Sequence, residues 1–400
     1  MASRKVKVLH LITHMPVGGA QDNTLLTVEN HNRDEFCVHL AANPSGTWTS
    51  RALSAADVFH PLPHLVTPIR PLDDLRALFE IVKLLRQERF EIIHTHSSKA
   101  GMLGRLAARI VGGSIVVHTI HGFPFHDFMP AWKRNVYITL ERLARSWTDY
   151  FITVCDLNRQ EALELNLVEH HNAQTVYSGI DFSKLDASGE SSKLYQNLEI
   201  SSDCKVIMMV GRLDEQKAPY YLIEAFSNVL KQYPNVVLLL VGDGHLRPQL
   251  EQQVNELGIC SSVKFLGSRS DVPQLLKGID IFALSSLWEG LGRAMTEAML
   301  LGKPVVVPAI YGIPETVHDN ETGLLFPAGD VAQLTHHLLH ILRHPEVGNR
   351  LGANAKTLTR RLFDGNRMVQ QIEDIYDTLL SQKHRAVPTK GDVAEPVNVS

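Results

Sequence analysis

The sequence predicts an α/β protein with two domains, each built on a parallel sheet. Its 400 residues suit two or three domains at roughly 150 residues each. From Val6 onward, short β-branched runs alternate with helical patterns, which is typical of parallel strands joined by crossover helices. The alternation lapses after Gly179 and then begins again. We therefore expect two Rossmann-like domains that face a central cleft.

Six apolar runs predict the strands of an N-terminal domain over residues 1–180. Gly, Pro and Asn punctuate these runs, and helical patterns lie between them, for example at residues 72–87 and 102–111. The predicted strands are residues 6–12, 36–41, 90–94, 115–120, 150–154 and 174–177.

Residues 181–203 are rich in Ser, Lys, Glu and Asp and lack a convincing period, so they are predicted to form a linker. A second alternation over residues 204–365 predicts a C-terminal domain. Its run at 236–241 is continuously apolar, as is a parallel strand buried on both faces. The predicted strands are residues 205–210, 236–241, 263–266, 279–284, 304–308 and 324–326.

The end of the chain divides into a helix and a tail. Apolar residues at helical spacing predict a helix over residues 366–382. Residues 383–400 are polar and contain two prolines, so we expect a disordered tail.

Composition excludes several classes of function. A net charge of only −4 gives no reason to expect a nucleic-acid partner. No apolar run approaches the roughly 20 residues that span a bilayer, and the first residues lack a secretory cleavage site, so we expect a cytoplasmic chain. The four cysteines are far apart and form no CxxC pair, which predicts reduced core residues rather than disulfides or zinc ligands.

Ligands of doubly wound sheets bind beyond the carboxyl ends of the strands, so the residues that follow each predicted strand are the candidates. After the first strand come Gly18 and Gly19, a pair that permits positive φ and close backbone approach just before a predicted helix. Such a helix N-terminus suits an anionic group, although a tight turn alone would also account for paired glycines. The segment does not match GxGxxG, so a dinucleotide site is disfavoured.

A second candidate loop follows the first strand of the C-terminal domain. Arg212 and Lys217 can converge from this loop, because Gly211 permits a bend before them. Two cations there could hold a diphosphate. Salt bridges with the neighbouring Asp214 and Glu215 are the alternative explanation.

The most informative segment is residues 285–299. Gly290, Leu291 and Gly292 mark a turn from strand to helix, so the free amides of the helix N-terminus should point into the cleft. Glu289 then lies in the loop, and Glu297 lies about one turn inside the helix, roughly 6 Å from its start. The two carboxylates can accept hydrogen bonds from hydroxyls at the two ends of an elongated ligand. Alternatively, both are exposed acids that the helix dipole favours.

Histidines supply the remaining candidates. Two histidine-rich strand ends, at residues 93–101 and 118–123, are predicted to face the same crevice. His121 precedes a glycine and can reach a ligand there, although a lone histidine is more often structural. His336 and His340 have i, i+4 spacing but no third ligand nearby in sequence, which favours a solvated helix face over zinc. We expect no metal site.

These ordered motifs resemble glycosyltransferase family 4, the retaining enzymes of GT-B fold. The likeness covers roughly residues 5–380, and residues 97–125 further resemble members that build bacterial capsules and exopolysaccharides. The motifs are Glu289 and Glu297 with seven residues between them, Gly211-Arg212 with Lys217, Gly18-Gly19, Gly-Ile-Pro-Glu at 312–315 and Thr-Gly-Leu-Leu-Phe-Pro at 322–327. Gln21 departs from the acidic residue that commonly follows Gly-Gly-Ala, which puts only local loop chemistry in doubt.

The resemblance implies a role for each matching residue. It also implies that the C-terminal helix crosses back to the first domain. The implied roles are diphosphate binding for Arg212 and Lys217, ribose binding for Glu297, donor-sugar binding for Glu289 and His121, and phosphate contact from the opposite domain for Gly19.

The activity implied is metal-independent transfer of a sugar from a nucleotide-sugar, with UDP-GlcNAc or another UDP-sugar preferred, to a hydroxyl acceptor in polysaccharide or glycolipid synthesis. A nucleotide-sugar 2-epimerase of the same architecture and an inactive nucleotide-sugar-binding protein remain alternatives. Residues 129–145 mix aromatic and basic side chains, which suits a peripheral contact with an anionic membrane and a lipid-linked acceptor. A soluble helix packed in the first domain is the alternative for this segment.

Overall fold

Two sheets organise the chain in this computed structural model, which describes residues 4–125, 129–186 and 192–386. Contacts divide the chain into two units. The first unit takes in the described residues within 1–118, 146–150 and 366–400, and the second takes in those within 119–145 and 151–365.

The first sheet has seven parallel strands in the order β3-β2-β1-β4-β5-β6-β7. The strand order reverses between β1 and β4, which is the switch point of a doubly wound sheet. The strands are β1 Val6–His14, β2 Phe36–Asn43, β3 Val58–Pro61, β4 Ile92–His96, β5 Ile115–Ile120, β6 Tyr150–Thr153 and β7 Ala173–Thr175.

Helices α1 to α4 lie in the first unit, and the longest of these four shows why its residues are helical. Its first residue is Pro71, which suits the first turn, and it ends at Arg89 in the left-handed conformation with φ of 52°. Ala77, Ile81 and Leu85 recur every four residues and are buried. The helices are α1 Gly19–Asn30, α2 Thr49–Ala55, α3 Pro71–Glu88 and α4 Ser98–Val111.

The second sheet has six parallel strands in the order β10-β9-β8-β11-β12-β13, so its switch point lies between β8 and β11. Every residue of β9 is buried, as its continuous apolar sequence predicts. The strands are β8 Lys205–Val210, β9 Val236–Val241, β10 Val263–Gly267, β11 Ile281–Ala283, β12 Val305–Pro308 and β13 Leu324–Phe326.

The remaining helices follow in chain order, and none in the described part of the chain is long and apolar enough to cross a membrane. They are α5 Ala131–Arg145, α6 Asp156–Glu164, α7 Phe182–Asp186, α8 Ser192–Asn197, α9 Pro219–Leu230, α10 Arg247–Glu256, α11 Val272–Gly278, α12 Arg293–Leu300, α13 Ile313–Thr316, α14 Val331–Arg343, α15 Pro345–Leu362 and α16 Gly365–Ala386, with a 3-10 turn at Cys260–Ser262.

The linker and tail differ in detail from the prediction. The predicted linker contains the short helices α7 and α8, and its residues 187–191 lie outside the described residues. Helix α16 continues to Ala386, where Lys383, His384 and Arg385 suit the negative end of the helix dipole. Residues 387–400 of the predicted tail lie outside the described residues.

Helix α16 belongs to the first unit and contributes to its buried polar core. Glu373 accepts a hydrogen bond from His31 at 2.8 Å, and the Tyr376 hydroxyl lies 2.5 Å from Nδ1 of His94. His94 and His96 are buried, so the prediction that residues 93–101 present histidines to a crevice is wrong for both. Hydrogen bonds to buried neighbours satisfy these rings, which removes the need for solvent.

The four cysteines are all free, as predicted, but they are not all core residues. Cys155 is buried, whereas Cys260 is exposed in the 3-10 turn before β10.

Candidate active site

The candidate site is built on loops that follow β8, β9 and β11 in the second unit. A Cβ on Gly211 would lie 3.1–3.3 Å from carbons of the Lys217 side chain, so this lysine lies across the glycine. Gly242 has φ of +130°, and its Cβ would come within 1.9 Å of the Gly211 carbonyl oxygen. The loops after β8 and β9 therefore pack backbone to backbone, which requires glycine at 242.

Lys217 and Glu289 form the central ion pair. Nζ of Lys217 donates a hydrogen bond to Oε1 of Glu289, and the Ser286 hydroxyl donates to the same oxygen at 2.8 Å. Their side chains are only 16% and 5% exposed. Because the carboxylate has little contact with water, its orientation depends on the lysine and the serine.

Arg212 lies on the same loop but is mostly exposed, at 68% of its side chain. Its Nη1 lies 3.0 Å from Oδ2 of Asp214, and its Nη2 donates to Gln216 at 2.6 Å. Asp214 also accepts a hydrogen bond from the Lys217 amide at 3.1 Å, so it organises the loop. The salt bridge between Arg212 and Asp214 is thus present, while Glu215 pairs with His245.

The loop before α12 is held tightly on two sides. A Cβ on Gly290 would lie 2.9 Å from the His121 carbonyl oxygen, and one on Gly312 would lie 2.5 Å from the Gly290 carbonyl oxygen. Leu291 is buried against Cys155 and Phe363, so only its backbone is available to a ligand. These contacts account for glycine at 290 and 312 and give the loop a defined path.

Gly292 begins α12 in the left-handed conformation, with φ of 77°, which favours glycine. Having no side chain, it cannot cap the amides of the first helical turn. Those amides, together with the helix dipole, make this terminus suitable for an anion.

Glu297 is paired within α12. Arg293 Nε donates to its Oε1 at 3.2 Å, and Arg293 Nη1 also donates to the Gly179 carbonyl at 3.1 Å. The side chains of Arg293 and Glu297 are both one-fifth exposed. Neither Glu289 nor Glu297 is therefore the freely exposed acid that the helix-dipole alternative describes.

His121 belongs to the same unit as Lys217 and Glu289. Burial lowers the pKa of His121 to about 4, so the imidazole is neutral at pH 7. A neutral ring can accept or donate a hydrogen bond to a hydroxyl without adding charge to the site.

Gly18 and Gly19 lie in the first unit, at the start of α1. Gly18 does not use the positive φ that glycine permits, because its φ of −178° is extended backbone that any residue adopts. A Cβ there would lie 2.4 Å from Oε1 of Gln21, the far end of a flexible side chain that can move aside, so neither φ nor packing requires glycine at 18.

Sequence patterns missed the role of Glu315. Its carboxylate accepts hydrogen bonds from the amides of Asp156, at 2.7 Å, and Leu157, and from the Tyr177 hydroxyl at 3.0 Å. Glu315 therefore caps α6 from a distant part of the chain. Burial and this carboxylate raise the pKa of Tyr177. The glutamate was visible in the motif at 312–315, but its partners lie 138–159 residues away.

The chain is similar to known glycosyltransferases over nearly its whole length. The family model described as Glycosyltransferase Family 4 matches residues 17–184, and the one described as Glycosyl transferases group 1 matches residues 191–358. An Escherichia coli UDP-Gal:alpha-D-GlcNAc-diphosphoundecaprenol alpha-1,3-galactosyltransferase is 30% identical over 383 residues, covering 95% of this chain and 98% of that protein.

Two further likenesses agree. The capsular polysaccharide biosynthesis glycosyltransferase CapM of Staphylococcus aureus is 23% identical over 336 residues, covering 82% of this chain and 86% of that one. The crystal structure of Anabaena HepE in complex with UDP and glucose has a TM-score of 0.81 at 24% identity, covering 93% of this chain and 100% of that one.

The chain has two doubly wound sheets, and a buried lysine–glutamate pair lies beside a helix N-terminus at the carboxyl ends of the second sheet. These features define an enzyme of the GT-B glycosyltransferase class. The full-length likeness to the E. coli enzyme then decides the family. The chain belongs to glycosyltransferase family 4, among relatives that include enzymes of bacterial polysaccharide synthesis. The predicted fold class and family are confirmed.

Proposed function

We propose that the chain transfers a sugar from a nucleotide-sugar, preferably a UDP-sugar, to a hydroxyl of a growing polysaccharide or glycolipid, with retention at the anomeric carbon. The observation that carries the proposal is the buried pair of Lys217 and Glu289 beside the uncapped N-terminus of α12. Similar proteins support this donor, since the E. coli relative is named for UDP-Gal and Anabaena HepE was crystallised with UDP and glucose.

In the proposed reaction, the acceptor oxygen bonds to the anomeric carbon as the bond from that carbon to the diphosphate breaks. Negative charge grows on the departing phosphate oxygen, which takes the proton of the acceptor hydroxyl on the same face of the sugar. Lys217, Arg212 and the first amides of α12 stabilise this charge from fixed positions. No divalent metal is needed for that task.

The carboxylates and His121 position the donor. Glu289 is oriented by Lys217 and Ser286, so it can accept a hydrogen bond from a sugar hydroxyl without first reorganising. Glu297 binds the ribose hydroxyls, with Arg293 holding its side chain. The neutral ring of His121 binds an outer hydroxyl of the sugar.

We further propose that the acceptor is lipid-linked and that the chain contacts an anionic membrane through α5. One face of this helix carries Trp132, Val136, Leu140 and Leu143, which are 42–71% exposed. Only Ile138 and Ala144 are buried, which disfavours the alternative of a fully packed soluble helix. An apolar face flanked by basic side chains is the pattern of a helix that lies in a membrane interface.

Basic side chains flank this apolar face of α5. Lys133 and Arg142 are exposed beside it and complement anionic lipid headgroups. Helix α3 of the first unit carries another exposed apolar stripe, formed by Leu72, Leu75 and Phe79.

The donor is tested first by melting the purified chain with UDP-, GDP-, ADP- and dTDP-sugars, since a ligand of the folded state raises the melting temperature. We expect a concentration-dependent rise with a UDP-sugar. Incubation of UDP-GlcNAc without acceptor then distinguishes the epimerase alternative, because an epimerase converts it rapidly whereas a transferase at most hydrolyses it slowly. Rapid conversion to the 2-epimer, or no rise with any sugar nucleotide, would contradict the proposal.

A further inference from the structure

Three buried histidines of the first unit converge on one point, and none of them is among the residues assigned to the donor. His10 lies on β1, directly opposite His94 on β4, and His96 follows on the same face of β4. One ring nitrogen from each of the three lies within 4.8 Å of the others. These residues are only 0–1% exposed, so the cluster is part of the packed interior and is not a chance grouping of mobile surface side chains.

A second layer of hydrogen bonds fixes the His10 ring. Its Nε2 lies 2.9 Å from Nε2 of His31, whose Nδ1 lies 2.8 Å from Oε1 of Glu373. The same carboxylate oxygen accepts the Asn32 amide at 2.8 Å. A carboxylate only accepts, so His31 carries its proton on Nδ1, and His10 therefore donates through Nε2.

This arrangement of protons leaves Nδ1 of His10 unprotonated, so its lone pair can bind a metal ion. The atom lies 3.0 Å from Nε2 of His96. His94 is held in a comparable way, since its Nδ1 lies 2.5 Å from the Tyr376 hydroxyl. Metal-binding histidines characteristically use one nitrogen for the metal and the other for such an outer partner.

We propose that His10, His94 and His96 bind one Zn²⁺ or similar divalent transition-metal ion, which fastens α16 to the first sheet. Zinc–nitrogen bonds of about 2.0–2.1 Å in a tetrahedron separate neighbouring ligand nitrogens by roughly 3.3 Å. The 3.0 Å between His10 and His96 is a few tenths of an ångström short of that spacing. The ion would replace their direct hydrogen bond.

Negative charge for this site comes from α16. Glu373 reaches His10 through His31, and Tyr376 contacts His94 directly, so α16 supplies a residue behind each of these two ligands. The three imidazoles supply three of the four tetrahedral positions around the ion. The ion is structural and takes no part in the proposed sugar transfer.

The decisive measurement is metal binding by the full chain after chelator treatment, probed with Co²⁺ and Zn²⁺ alone. We expect one ion per chain by elemental analysis and the visible absorption of tetrahedral Co²⁺. His96→Gln should abolish both signals. His336→Gln with His340→Gln is the matched control, because it removes an i, i+4 pair on the surface of α14 whose rings lie 6.4 Å apart. That control should bind normally.

A measurement on the wild-type protein tests the proposal even if His96→Gln fails to fold. The melting temperature of the wild type should rise with added Zn²⁺ and return on chelation. Tyr376→Phe keeps the ring but removes the outer hydroxyl, so it should need roughly 10–100-fold more Zn²⁺ for the same rise. Absence of stoichiometric binding in the wild type, binding that survives His96→Gln, or binding lost only in the surface control would overturn the proposal.

Discussion

Replacing Lys217 by alanine should destabilise the second unit and greatly slow sugar transfer, and a second substitution should separate these two effects. The substitution leaves the Glu289 carboxylate, whose side chain is 5% exposed, without its cation. Removing one partner of a buried pair costs roughly 3–5 kcal/mol. Ser286 still donates to the carboxylate, so we expect the lower end, about 3 kcal/mol.

The loss of activity has a different cause. Lys217 is proposed to stabilise charge on the departing diphosphate, and removing one such donor slows reactions by roughly 100–1,000-fold. Changing Glu289 to glutamine as well replaces the stranded carboxylate by a neutral amide. The Lys217→Ala, Glu289→Gln double variant should therefore regain at least about 1 kcal/mol of stability while remaining inactive.

Urea denaturation of each variant gives the free energy of unfolding, and product formation from a UDP-sugar gives the rate. Lys205→Ala is the matched control, because Lys205 pairs with Asp280 in the same unit at 36% and 32% exposure. An exposed pair of this kind contributes roughly 0.2–1 kcal/mol. The reasoning is refuted if Lys217→Ala is no more destabilising than Lys205→Ala, or if the two substitutions at 217 and 289 simply add.

Three further predictions concern other parts of the molecule. Burial lowers the pKa of His121 from the usual 6.5 to about 4, so the contribution of the neutral ring to stability is complete above pH 6.5 and is lost as the pH falls through 4. His121→Asn should therefore flatten the dependence of the unfolding free energy on pH between these two values. Glu315→Ala should lower the unfolding free energy by about 2 kcal/mol, more than Tyr177→Phe, since it uncaps α6; equal urea midpoints would contradict this role. Trp132→Glu should reduce sedimentation with anionic vesicles, whereas Leu53→Glu on α2 should not, and unchanged binding by the Trp132 variant would exclude α5 as the contact.

Strands that are continuous apolar runs could be predicted from sequence residue by residue. The predictions for 115–120, 205–210, 236–241 and 324–326 agree with the structure at both ends. Strand β3 was missed because its four residues are exposed or half-buried and show no apolar run. It is a strand because it pairs with β2, and the sequence of β3 itself carries no sign of that partner.

The candidate site was only partly predictable, for the same reason. The rule that ligands bind beyond strand ends selected the loops that carry Lys217 and Glu289, whose part in binding stays a prediction. It could not say that these two residues pair or that Arg212 contacts Asp214, because side-chain contacts depend on how separate loops pack.

By itself, the sequence determined the two-sheet α/β class, the loops that hold the candidate site, and the family resemblance, since periodic burial and turn residues are local properties of the chain. The tertiary structure alone decided which residues contact each other across long stretches of the chain. Glu315 meets α6, Glu373 meets His31 at the end of α1, and Tyr376 meets His94 of β4, across 158–342 residues of chain. Buried polar groups must find partners wherever packing brings them, and no local pattern encodes that choice.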